Sequence, residues 1–146
     1  MTAVIDPANS IVKLCAQGIA AEGEGRADDA RRLFVEAWRL SGDDHEACIA
    51  AHYLARHQAT AEETLWWNEE ALRRADAVGD LRVREFYPSL HLNVADALER
   101  LGRVAQAHQH YVLAAKGLED LPDNGYANLI RMAVARGEAR TVSGSA

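Results

Sequence analysis

The run PSLHLNVADALERLG (residues 88–102), continued by RVAQAHQHYVLAAKGLEDL (103–121), decides how this chain is read. Each half carries apolar residues at helical spacing, and Gly102 separates the halves. Ala95, Ala107 and Ala114 recur where two such helices would cross, with Leu98 and Tyr111 as their large apolar neighbours. Helices that approach to about 8–10 Å need that combination, a small side chain at the crossing and a large one beside it to fill the gap. The stretch therefore predicts a tight helical hairpin.

The same order occurs near the start of the chain. Gly25, Ala30, Phe34 and Ala37 precede Gly102, Ala107, Tyr111 and Ala114 by a constant 77 residues, and Gly18 takes the place of Ala95. A hairpin repeated with its small residues in fixed places resembles the tetratricopeptide (TPR) repeat, which is stable only when stacked on its neighbours. The pattern departs from the family at its first position, where His91 stands instead of the usual Trp. Two standard repeats span about 68 residues, so an enlarged, degenerate unit is expected between the two copies. It places His52, Thr64 and Ala71 at the small positions and Asn68 at the large one.

The resemblance covers roughly residues 10–121. It implies an all-α fold, a right-handed α-solenoid of three TPR-like hairpins plus a C-terminal capping helix. Residues 1–140 are read as a single domain and 141–146 as a frayed tail.

Composition agrees with a soluble globular chain. The 146 residues are 49% apolar and 26% charged, enough to bury a core. A net charge of −6, from 16 basic and 22 acidic side chains, argues against a nucleic-acid surface. No apolar run is long enough to span a bilayer, and residues 1–5 lack a basic region, so neither membrane insertion nor a signal peptide is expected. The Ala-, Arg- and Asp-rich usage fits a bacterial, cytoplasmic protein. Cys15 and Cys48 both fall in helical patterns and read as reduced, buried thiols.

The helix signals run in order. Asp6-Pro7 reads as a cap followed by proline in the first turn, opening a helix that ends at Gly25. A second spans about 27–41, with Gly42 as its stop signal. A third runs from Asp43-Asp44 to His57 with Ala47, Ala50, Ala51 and Leu54 as its packing stripe. Thr60-x-x-Glu63 is a capping box opening a fourth, closed by Gly79. Pro88 should kink the next helix or start a new one. A last helix from about Asp123-Asn124 carries Tyr126, Leu129, Ile130, Ala133 and Val134 and is expected to cover the last repeat's exposed core.

Signals for chemistry are weak. His45, Cys48 and His52 share one helix face, but no partner ligand with metal-site spacing stands elsewhere, so no metal and no cofactor is expected. His108 and His110 point to different sides of their helix. No phosphate loop, nucleophile elbow or dinucleotide turn is present, and the paired carboxylates sit at helix starts or on solvated faces. The chain reads as a non-enzyme.

In TPR stacks the first helix of each hairpin lines a concave groove that holds a protein or peptide partner. The resemblance places Val12, Cys15, Ala16, Ile19 and Glu22 there in the first repeat. Glu46, Ile49, Ala50, Tyr53, Arg56 and His57 follow in the second, and Ser89, Leu92, Asn93, Asp96 and Arg100 in the third. The partner-binding candidates are Ile49, Tyr53, Arg56, His57, Ser89, Asn93, Asp96 and Arg100. Asn93 stands where many members carry a ligand-binding asparagine. The basic residues of a carboxylate clamp are replaced by Cys15, Ile49 and Leu92, so a C-terminal carboxylate is not the expected ligand. A second reading is a homo-oligomerising regulatory module that uses the convex face around Trp66. Adjacent helical residues lie about 100° apart, so Trp67 joins the core flank while Trp66 falls with Glu62, Glu69 and Arg73.

Overall fold

The computed structural model describes residues 6–145, of which 82% are helical, with no strand among them. The α-helices are α1 (Ser10–Gly23), α2 (Ala27–Leu40), α3 (Asp44–Leu54), α4 (Ala61–Val78), α5 (Leu81–Arg84), α6 (Tyr87–Arg100), α7 (Val104–Lys116) and α8 (Gly125–Thr141). Short 3-10 turns follow α3, α7 and α8. The chain divides into two compact units, Met1–Val83 and Arg84–Ala146.

In the first unit α1 pairs with α2 and α3 with α4, and α3 also packs on both α1 and α2. Helix α1 begins at Ser10 and not at the expected Asp6-Pro7. Asn9 is the better cap because its Oδ1 accepts from the Ile11 and Val12 amides at 2.8 and 3.1 Å, while Asp6 folds into a preceding turn. Gly42 is not the left-handed stop residue expected after α2. Its amide donates to the Glu46 carboxylate, which braces the start of α3. Thr60 caps α4 by accepting from the Glu63 amide at 3.1 Å, and its hydroxyl donates to Glu63 Oε1 at 2.9 Å. Ala47, Cys48, Ile49, Ala50, Ala51 and Leu54 of α3 are all buried, because three helices surround it.

In the second unit α6 and α7 form the hairpin, and α8 packs on both. Pro88 starts a helix, as its rigid ring favours: it lies in the first turn of α6, where a missing amide costs nothing. The preceding α5 is only one turn. Asn124 caps α8 by accepting from the Ala127 amide at 2.9 Å. The buried side of α8 is Ala127, Ile130, Val134, Gly137 and Thr141, whereas Tyr126 and Leu129, expected to cover the core, are largely exposed. Thr141, expected to begin a frayed tail, is fully buried. Its hydroxyl donates to the Gly137 carbonyl at 2.7 Å and lies 3.0 Å from His108 Nδ1, which removes the cost of burying it.

The 77-residue copy is structural as well as sequential. Gly25 and Gly102 both sit at positive φ, 78° and 76°, and each turn closes with a matching pair of backbone bonds. The Arg26 amide donates to the Ala21 carbonyl at 2.8 Å and the Arg103 amide to Leu98 at 2.9 Å. Ala30, Ala37, Ala95, Ala107 and Ala114 have no exposed surface, and Phe34 and Tyr111 are buried beside them.

Candidate functional site

In each unit the first helix of the leading hairpin runs beside the helix that follows that hairpin, and polar contacts pin the pair at both ends. In the first unit the Asn9 side-chain amide donates to Glu46 Oε2 at 2.7 Å at the start of α1 and α3. At their far ends Glu22 pairs with Arg56 and lies 2.6 Å from His57 Nε2. In the second unit Ser89 Oγ lies 3.0 Å from the Tyr126 hydroxyl, and Glu99 pairs with Arg140. Contacts of start with start and end with end make α1 parallel to α3, and α6 parallel to α8. Glu22 and Glu99 are themselves 77 residues apart.

On the first unit, Tyr53 stacks on Phe34 with ring centroids 5.4 Å apart, and the Arg56 guanidinium lies 4.9 Å from the Tyr53 centroid. His57 leans on Phe34 at 5.4 Å, and its carbonyl accepts from Arg31. The structure therefore gathers Tyr53, Arg56 and His57 around Glu22. Ile49 lies elsewhere, buried in the helix packing together with Ala50 and Cys15. On α1, Ala16 and Ile19 are the exposed members of the expected wall.

On the second unit, Asp96 and Arg100 form an exposed ion pair of 2.7 Å one turn apart on α6, and Asn93 lies partly buried a turn earlier. Pairs of this kind are weak and leave both groups available. Ser89 is nearly buried and is held by Tyr126. The residues that reading the sequence missed are Glu22 and Glu99 as ties and Tyr126 as the partner of Ser89. The shared offset of the two glutamates was the available signal.

Glu99 Oε1 also accepts from the Tyr111 hydroxyl at 2.7 Å. The Arg140 hydrogen bond, opposed by burial and joined by Tyr111, holds the Glu99 carboxyl below its ordinary range. Burial, reinforced by Glu99, pushes the Tyr111 phenol up to about 12. His108 and His110 do face different elements: His108 meets Thr141 of α8, and His110 Nδ1 lies 3.0 Å from His91 Nδ1 of α6.

All three tryptophans lie together on the first unit. Trp67 meets Trp38 edge-on at 5.0 Å and Trp66 edge-on at 4.9 Å. Trp66 is 50% exposed, with Arg73 over its ring at 5.9 Å. Burial works against the charge of Glu70, but its hydrogen bonds to Arg74 and Arg73 outweigh that and keep its carboxyl below the ordinary range.

Cys15 and Cys48 are free and buried, and burial pushes both thiols up to about 12. They are protonated at neutral pH, which suits packing and not nucleophilic or metal-binding work. His52 is lowered to about 4 by burial and by Arg56. No group of three His, Cys, Asp or Glu among the described residues is arranged to hold a metal ion. No described helix is long and apolar enough to cross a membrane.

These features define an all-α protein whose two units each join a helical hairpin to a parallel following helix. No protein-family model matches the chain, and no curated protein or solved structure matches it.

Proposed function

We propose that this chain is a non-catalytic, TPR-like scaffold that binds a protein or peptide segment along the concave side of a right-handed stack of three hairpins, capped by α8. The observation that carries this reading is the equivalence of the ties made by Glu22 and Glu99. At equivalent positions, each ties the first helix of a hairpin to the parallel helix that follows it. Parallel first helices are what a helical-repeat stack requires, and they leave a row of side chains on one face. On the first unit Ala16 and Ile19 offer apolar contact and Tyr53 and Arg56 aromatic and polar contact, and on the second unit Asn93, Asp96 and Arg100 offer polar contact. A ligand with an apolar portion and an acidic or amide-rich portion fits this mixture, as an extended segment or a helix.

A pull-down with wild type and a Tyr53→Ala/Asn93→Ala/Arg100→Ala variant tests the reading. A specific partner should be lost from the variant while its helix content is unchanged. Equal retention would place the site elsewhere. The half-exposed Trp66, flanked by Arg73, supports a second reading, a homo-oligomerising regulatory module that uses the convex face around Trp66.

A further inference from the structure

Three of the large apolar side chains exposed on this chain lie on one helix. On α8, Tyr126 is 62% exposed, Leu129 66% and Met132 48%. The helix packs on α6 and α7 through Ala127, Ile130, Val134 and Gly137. At 100° per residue, Leu129, Met132 and Arg136 make one outward stripe, and Tyr126 borders it. Exposed apolar stripes of this kind mark interaction surfaces. In the first unit α3 likewise packs on a hairpin, α1 and α2, and α4 then covers its remaining side. The outward side of α8 has no such cover among the described residues.

We propose that this face pairs with the same face of a second copy of the chain, the two α8 helices running antiparallel. Charge decides both the occupant and the direction. The stripe carries one charge, Arg136, at one end, and Asp123 precedes the cap at the other. Both are exposed, and neither makes an ion pair among the described residues. Antiparallel pairing centred between Leu129 and Met132 lays Leu129 of each copy on Met132 of the other. It also brings each Arg136 toward the Asp123 of the other copy. Parallel pairing would set Arg136 against Arg136. The neighbouring Arg140 is neutralised by Glu99 and adds no uncompensated charge. The surface is complementary to itself.

This pairing is independent of the groove, so its test does not depend on any ligand. Sedimentation velocity of the full chain over a range of concentrations should show a dimer at micromolar concentration. Leu129→Glu should give a monomer with unchanged helix content. Arg136→Asp or Asp123→Arg alone should weaken the dimer about tenfold, and the two together should restore it. A wild type that stays monomeric throughout, a dimer that survives Leu129→Glu, or a double reversal that fails to restore it would overturn the proposal. So would a dimer that Trp66→Ala dissolves and Leu129→Glu does not, which would place the interface on α4.

Discussion

Arg140 grips Glu99 with two hydrogen bonds, Nε to Oε2 at 2.9 Å and Nη2 to Oε1 at 3.0 Å, across 41 residues of chain. Its Nη2 also reaches the Tyr111 hydroxyl at 3.3 Å. One arginine thus fastens α8 to the hairpin beneath it. Because Arg140 is half exposed, Arg140→Ala should cost only about 1 kcal/mol.

The pH dependence follows from the same cluster. Arg140, against burial and with help from Tyr111, depresses the folded-state pKa of Glu99. The contribution of Glu99 to stability is therefore complete above the ordinary glutamate value, about 4.3. It is lost as the pH falls through the depressed value. Urea unfolding across the acid range should show a shallower loss of stability for Glu99→Gln than for wild type. Identical slopes would mean that the pair does not contribute.

Tyr111 acts at the other end of the scale. Its folded-state value, about 12, lies above the ordinary 10. Stability from this group is complete below pH ~10 and declines as the pH rises through the folded value. Absorbance titration of the tyrosinates should show one phenol that ionises last, and Tyr111→Phe should remove that step.

Two glycines are fixed by close approach. A Cβ on Gly18 would lie 2.4 Å from Phe34 Cε1, and one on Gly137 would lie 2.1 Å from Tyr111 Cε1. Gly18→Ala and Gly137→Ala should each cost about 1–3 kcal/mol by overpacking. The Gly18→Ala penalty should shrink in a Phe34→Leu background, where the ring is gone. Gly25 has open space around it but a φ of 78°, so Gly25→Ala should cost about 1 kcal/mol in either background. Ala107→Leu should fall in the overpacking class, because Ala107 has no exposed surface.

The two thiols provide a probe of native packing. Cys15 and Cys48 are buried and remain protonated at neutral pH. A thiol-reactive disulfide reagent should leave both untouched in the folded protein and modify both in denaturant. Fast modification of the native state would show that these helix crossings open readily.

Much of the helix architecture was legible in the sequence because its signals are local. Capping residues, turn glycines and Pro88 act within a few residues of where they stand, and the copy at 77 residues marked the alanine crossings. The exposed face was less legible. Cys15, Ile49 and Ala50 have the periodicity of a groove wall, but α3 is surrounded by helices and α1 is packed on two, so those positions are buried. Tyr126 and Leu129 read as core for the opposite reason: their spacing is apolar, yet the helix turns that side outward. Periodicity reports which residues share a face and not which face is covered. The ties made by Glu22 and Glu99 join residues at least 34 positions apart, beyond the reach of any local signal.

The most direct measurement of the binding claim is NMR mapping of a peptide selected from a random library on the full chain. Backbone shift changes are expected at Ala16, Ile19, Tyr53 and Arg56 of the first unit and at Asn93, Asp96 and Arg100 of the second, with the α4 residues around Trp66 unaffected. Shift changes confined to Trp66 and its neighbours on α4, or to the outward stripe of α8, would contradict it.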